Sequence, residues 1–270
     1  NGAFQINDDT DNVVRLHISD AGNIGIGTTS PQSLLNLVSA SSPTIKLKDT
    51  SQNCELQLLA QDSNAIVGTN SSHALKFTIN NNEKARVHTG GEFVIGHSTT
   101  TTISNGENPF LQVKGTDSRA GASFIRHSAD AASGGLYLGK SRNATIGSNT
   151  IVQNGDELGR ITFSGDDGTD VHTVAAEIKA FVDGAPGAND MPGRIGFFTC
   201  PDGAAGAQER MRIDNAGRVL LGTATSNNNA SLQVTTTQQV VATFESTGND
   251  PQIYLGDDMS SPTDNCIILG

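Results

Sequence analysis

Three stretches of this sequence repeat one another, and that repetition limits the fold more than any single motif does. They run from Arg15 to Thr28, from Lys84 to His97 and from Arg210 to Thr223. Each runs from a basic residue through a second basic and an apolar position, a polar turn and a Gly, to an apolar pair ending in Gly. Phe4-Gln5-Ile6, Phe77-Thr78-Ile79 and Phe198-Thr199-Cys200 precede the three copies, and Leu35-Asn36-Leu37, Leu111-Gln112-Val113 and Leu232-Gln233-Val234 follow them. Leu136-Tyr137-Leu138-Gly139 returns as Ile253-Tyr254-Leu255-Gly256. The second and third copies lie much further apart than the first and second. A block at about 146–200 accounts for the excess. The sequence therefore divides into a first hairpin repeat at 1–32, a second β module at 33–107, an enlarged third at 108–225, and the start of a further one at 226–270.

Inside the modules the apolar period is two, the period of a strand. Ile45 and Leu47, Leu56 and Leu58, and Ile161 and Phe163 show it. Clusters of Gly, Asn and Asp bound these runs and supply turns. Val171 to Val182 fits either a helical or a strand face. The hairpin-like turns Asp166-Asp167-Gly168 and Asp183-Gly184 on either side favour a strand. The expected class is all-β, built of short strands and hairpins.

Composition bears on what such strands can bury. Apolar residues are 35% of the 270, aromatics 4%, and Trp is absent. A lone module with two or three apolar positions per strand buries too little to offset about 1–2 kcal/mol of backbone entropy per ordered residue. Stacking regular repeats along one chain would solve this, but solenoids keep a near-constant period of about 20–50 residues. Wrapping identical chains around one axis fits the unequal spacing better. The expectation is an elongated, intertwined homotrimer. Ile24, Ile26, Phe93, Ile95, Val219 and Leu221 would face the shared core. Gly22, Gly27, Gly91, Gly96, Gly217 and Gly222 would sit at turns or close approaches.

Formal charge is −11, from 17 basic and 28 acidic residues. With no Lys/Arg cluster, nucleic acid is not an expected partner, and no apolar run approaches the roughly 20 residues of a membrane span. Cys54, Cys200 and Cys266 are odd in number and lack ligand spacing, so they read as small buried residues. The chain opens at Asn1 and stops just after the strand-like Cys266–Leu269, and so reads as a segment of a longer polypeptide. Gly134 to Ser141 spells GxxxxGK[ST], but the flanks suit neither the core strand nor the helix that cradles phosphate. Leu136-Tyr137-Leu138 inside it reads as a strand. Asp8-Asp9-Thr10-Asp11 and Asp166–Asp170 are oxygen-rich but lack the EF-hand pattern, and read as turns. The six histidines lack metal-site spacing. His17 and His88 are expected on strands, facing solvent or neighbouring chains. Arg15, Arg86, Arg210 and Arg212 are expected to set register by pairing across chains with carboxylates such as Asp20, Glu209 or Asp214. No nucleophile motif stands out. The expectation is no enzyme, no cofactor and no metal.

The run from Gly22 through Thr28 to Pro31, then Leu35-Asn36-Leu37, resembles the repeat of bacteriophage tail fibres. Glu209 to Asp214 and the block from Gly155 to Phe163, with its continuation to Gly193, are similar to stretches of the same proteins. The middle copy, Gly91 to His97, lacks the Gly-Ile-Gly-Thr form. The resemblance implies a trimeric β-rich shaft on the virion. It would stand outside the cell, join other tail or baseplate proteins and contribute to contact with a host-surface glycan or protein. Members often continue into a chaperone domain. A tailspike-like polysaccharide depolymerase and a bacterial surface adhesin are the alternatives. The low aromatic content speaks against the first.

Overall fold

The computed structural model describes residues 2–8, 10, 13–103, 106–227, 229–237 and 241. Among them the chain is all-β: seventeen strands in four sheets, and no α-helix. The reading of Ile253–Gly256, of Cys266 and of most of 226–270 falls outside the described residues.

Two compact units divide the chain, Asn1–Leu136 and Tyr137–Gly270. The first holds three sheets. β1 (Phe4–Asp8), β2 (Val13–Ile18), β3 (Ile24–Ile26) and β4 (Leu35–Leu37) pair in that order. β5 (Thr44–Asp49), β6 (Cys54–Gln61) and β7 (Asn64–Thr69) form an antiparallel meander. β8 (Leu75–Ile79), β9 (Asn82–Val87), β10 (Phe93–Ile95) and β11 (Leu111–Val113) make the third. The second unit holds one sheet, of β12 (Glu157–Gly165), β13 (Thr173–Val182), β14 (Gly193–Thr199), β15 (Gln208–Ile213), β16 (Val219–Leu221) and β17 (Leu232–Val234). Val171–Val182 is thus a strand over most of its length. The enlarged block adds β12 and β13 to the outer edge of the third repeat.

The three repeats fold alike. Each is an antiparallel hairpin, a third antiparallel strand, and a fourth that returns parallel: β3 to β4, β10 to β11, β16 to β17. Each hairpin carries a bulge at the same place, opposite Ile6/Asn7, Phe77/Thr78 and Phe197/Phe198. The register leaves Arg15, Lys84 and Arg210 as the extra residue of the bulge. The recurring basic residue of the sequence is therefore the bulged one. Its carbonyl accepts the N–H of the glycine that follows the triplet of the third strand: Arg15 O from Gly27, Lys84 O from Gly96, Arg210 O from Gly222. Those three glycines have φ of 75°, 84° and 70°, in the left-handed region. A Cβ there would lie 2.1 Å from Val38 O, 2.0 Å from Lys114 O or 2.1 Å from Thr235 O. No side chain fits, because the returning parallel strand crosses at van der Waals distance.

Leu136-Tyr137-Leu138 has the strand period but forms no strand. Among the described residues nothing pairs with it, and a strand exists only through its partner.

Gly22 also has positive φ, 82°, but open space around its Cβ position. Gly27→Ala is therefore expected to destabilise clearly more than Gly22→Ala. The latter costs only the backbone strain of about 1–2 kcal/mol. Denaturant unfolding of the two variants side by side tests this, and equal midpoints would contradict the close approach at Val38.

Candidate functional site

Side chains alternate across a strand, so each repeat sheet has two faces. On one face of the first sheet the register aligns Phe4, Ile18, Ile24 and Leu35, and beside them Ile6, Leu16, Ile26 and Leu37. Every one is apolar. The other face holds Gln5, His17, Gly25 and Asn36. The second repeat aligns Leu75, Val87, Phe93 and Leu111, with Phe77, Ala85, Ile95 and Val113, against Lys76, Arg86, Val94 and Gln112. The third aligns Ile195, Ile213, Val219 and Leu232, with Phe197, Met211, Leu221 and Val234, against Gly196, Arg212, Leu220 and Gln233.

The chain covers the polar face of each and leaves the apolar one open. The middle residues of the triplets are buried: Gly25, Val94 at 0% exposure and Leu220 at 1%. Their neighbours Ile26, Phe93 and Ile95 are exposed, and Ile24, Val219 and Leu221 are half-buried. The six residues expected to face a shared core thus lie on the open side. Phe77 and Phe93 meet there edge to face, at 6.4 Å between centroids. On the meander, Ile45, Leu47, Leu58 and Val67 likewise share one exposed face. An open cleft of about 380 Å³ there is lined by Ile45, Leu58 and Val67 with Leu37 and Pro43.

The cover of the polar face is the connection between the third and fourth strands. One amide anchors it in every repeat: Asn36 Oδ1 accepts from Gln32 N (3.2 Å), Gln112 Oε1 from Thr101 N (2.9 Å) and Gln233 Oε1 from Asn227 N (2.7 Å). This role was not read from the sequence, although Leu-Asn/Gln-Leu/Val marks it. In the first copy the loop passes so close that a Cβ on Gly25 would meet Thr28 O at 2.4 Å. The middle copy carries Val94 at that position, and its connecting loop from Gly96 to Phe110 is longer.

The bulge also explains the charges. Residues three apart normally point to opposite faces of a strand; one extra residue brings them to the same face. Arg86 accordingly grips Glu83 through Nε and Nη2 (2.5 and 2.6 Å), and Arg212 grips Glu209 in the same bidentate way. Within the single chain these arginines thus find partners along their own strand, and Asp214 binds Arg218. Arg15 contacts Asp8 at 2.9 Å. In the first copy His17 stands in the place of Arg86 and Arg212. It is on a strand as expected, but it is 7% exposed rather than open to solvent, and bonds Gln5 Nε2 at 3.0 Å. His88 lies just after β9 and is half-buried, with Nε2 3.1 Å from Ser98 O. Cys54 and Cys200 are half-buried rather than enclosed.

The turn glycines Gly22, Gly91 and Gly217 have φ of 82°, 92° and 77° and donate to Ser19 O, His88 O and Asp214 O. In the Asp166–Asp170 turn, the carboxylates of Asp166 and Asp167 accept the N–H groups of Gly168 and Thr169. Asp9 and Asp11 of the other oxygen-rich turn fall outside the described residues. Among the described residues no group of three or more His, Cys, Asp or Glu could hold a metal. No strand precedes Gly134–Ser141 directly and no helix follows it.

From residue 115 to 142 every residue is exposed. Beyond it, Asp156 fastens the chain to the six-stranded sheet. Its carboxylate takes Arg142 Nε and Nη2 at 2.6 and 2.7 Å and Gln153 N at 2.9 Å, with Lys140 Nζ 3.7 Å away. The Arg142 guanidinium first, then the Gln153 amide, hold this carboxyl far below the usual range.

No family model and no curated protein matches the chain. Among solved structures it is similar to the carboxy-terminal domain of the bacteriophage T5 L-shaped tail fibre. Identity is 12% and the TM-score 0.44, over 93% of this chain and 88% of that one. A structure of the same domain with its intramolecular chaperone domain gives 13% identity and a TM-score of 0.44, over 97% of this chain and 64% of that one.

A depressed carboxyl pKa stabilises the fold above the unfolded value, about 3.9 for Asp, and that contribution is lost as pH falls through the folded value. The Asp156 clasp is thus intact at neutral pH and weakens only below about pH 4. Asp156→Asn should lower the melting temperature at pH 7 and flatten its fall between about pH 4 and pH 2. Parallel melting curves for the two proteins across acid pH would refute the clasp.

Proposed function

We propose that this chain is a structural segment of a bacteriophage tail-fibre shaft and works as an intertwined homotrimer. Its role is mechanical display rather than chemistry. Other tail or baseplate proteins hold it, and its polar loops contribute to contact with a host-surface glycan or protein. The resemblance of the Gly22–Leu37 and Gly155–Phe163 stretches supports the fibre assignment. The observation that carries the reading is the inverted burial of the sheets. Among the described residues only Val94, Val152, Val174, Val182 and Leu220 are buried apolar side chains. That is a very small private core, when each ordered residue costs about 1–2 kcal/mol of backbone entropy. The missing burial is present in the sequence, on the open faces, and three copies that turn these faces inward bury it together. The basis is the same as in an obligate oligomer, whose interface is a core divided between chains.

The function follows mechanically. A shaft must resist bending without a thick core, and faces shared among chains stiffen it along its whole length. The polar side of each sheet, ion-paired in the second and third repeats, and a charge of −11 per chain keep such an assembly soluble.

Ile26→Asp places a carboxylate on the open apolar face, where burial of an unpaired charge costs several kcal/mol per copy. In light scattering the parent chain should have three times its formula mass and the variant should not. Ser30→Asp, in the exposed connecting loop, should assemble normally. A folded parent monomer, or a trimer of Ile26→Asp, would sink the proposal.

A further inference from the structure

Among the described residues, 122–141 make no backbone–backbone hydrogen bond. Only the N–H groups of Asp130 and Ala132 find acceptors, on Ser128 Oγ and Asp130 Oδ1. The segment carries neither strand nor helix. Its two arms pass beside each other, with the Cβ position of Gly134 3.2 Å from Phe124 O, yet they exchange no ladder bond. Exposed as they are, these donors and acceptors have only water in the isolated chain and are free to take an outside partner; once covered, such groups are almost always paired.

The side chains argue for a partner on more than one side. Phe124 and Ile125 are consecutive and both are exposed, at 66% and 74%; so are Leu136, Tyr137 and Leu138, with Tyr137 at 90%. A strand with one wet face alternates apolar and polar residues. Runs of adjacent large apolar residues belong to strands covered on both faces.

We infer that residues 122–141 are strands whose partners are the same residues of the other copies of this chain, pairing through the backbone in a body formed only in the assembly. The inference rests on the trimeric reading above and goes further, by assigning inter-chain hydrogen bonding to a particular stretch. The open area selects a second copy as the partner. Taking about 150–250 Å² for each large side chain, these five leave on the order of 600 Å² open per copy, close to the ~800 Å² per partner of a stable interface. The local pairs Arg119–Asp117 and Arg126–Asp130, both at 2.6 Å, bring their charges in already neutralised, which lowers the cost of covering them.

The test is hydrogen–deuterium exchange of the 270-residue chain, after its mass has been measured in the same buffer. In the trimer, the amides of 122–141 should exchange at least about a hundredfold more slowly than in an unstructured peptide. Ile125→Pro removes one ladder donor and should lower the denaturant midpoint of trimer dissociation. Ala132→Pro, between the two arms, should have the smaller effect. A trimer in which 122–141 exchanges at peptide rates, or in which Ile125→Pro changes nothing, overturns this inference and leaves the trimeric reading standing. A monomeric mass overturns both. Protection of 122–141 in a monomer would assign the pairing to the chain itself and also overturn it.

Discussion

The two-residue alternation of a strand allows a short sheet one wet side and one dry side, and this chain uses them in the opposite sense from a globular protein. Each repeat covers its own polar side. The connection from the third strand to the parallel fourth must cross one face of the sheet. Asn36, Gln112 and Gln233 draw it onto the polar one by accepting its backbone N–H groups. An apolar face offers such a loop no acceptor, and a loop laid there would bring unsatisfied amides with it. The hydrogen bonding of the connection therefore decides which face stays open, and the open face is the oily one.

The bulge serves the same arrangement. It makes Arg15, Lys84 and Arg210 the extra residue, turns their carbonyls toward Gly27, Gly96 and Gly222, and aligns Glu83 with Arg86 and Glu209 with Arg212. Both ion pairs are partly covered, with side chains of Arg86 and Glu83 at 12% and 20% exposure. The pair is best understood as a local brace of the polar face: it satisfies groups that the crossing loop partly removes from water. In the first copy, a contact between Gln5 and His17 takes the place of the pair. Gly25 there lets the loop sink close to the sheet, where a guanidinium–carboxylate pair would need more room.

Much of this was legible in the sequence because the repeat is written in residues with narrow physical roles. Glycines at positive φ, apolar triplets and polar turns recur at fixed offsets, so the copies could be aligned and their strands placed. The strand reading of Val171–Val182 followed from its flanking turns. The basic residue at the head of each copy was visible, but its part in a bulge was not, since a bulge shows only in the register between two strands. The amide of Gln112 looked like one more polar strand residue, because its loop partner lies eleven positions earlier at Thr101. Leu136-Tyr137-Leu138 has a strand pattern, but pattern records only what a segment can pair with, and among the described residues no strand pairs with it.

The enlarged third repeat sharpens the argument about dependence on other copies. Of the five buried apolar residues, Val152, Val174 and Val182 lie in the added block or in the loop that leads into it, the second repeat contributes Val94, the third Leu220, and the first contributes none. Widening a sheet from four strands to six gives it edges that protect its centre, and Arg194 ties the β13–β14 turn together by binding Asp183 at 2.8 Å while stacking 4.5 Å over Phe181. Asn215 N also reaches Asp183 Oδ2 at 3.1 Å, which joins that turn to the hairpin of the repeat itself. The four-stranded sheets have no such reinforcement. On the proposed trimeric reading, the first repeat, with no buried apolar side chain among its described residues, would depend most on other copies, and the enlarged third would depend least.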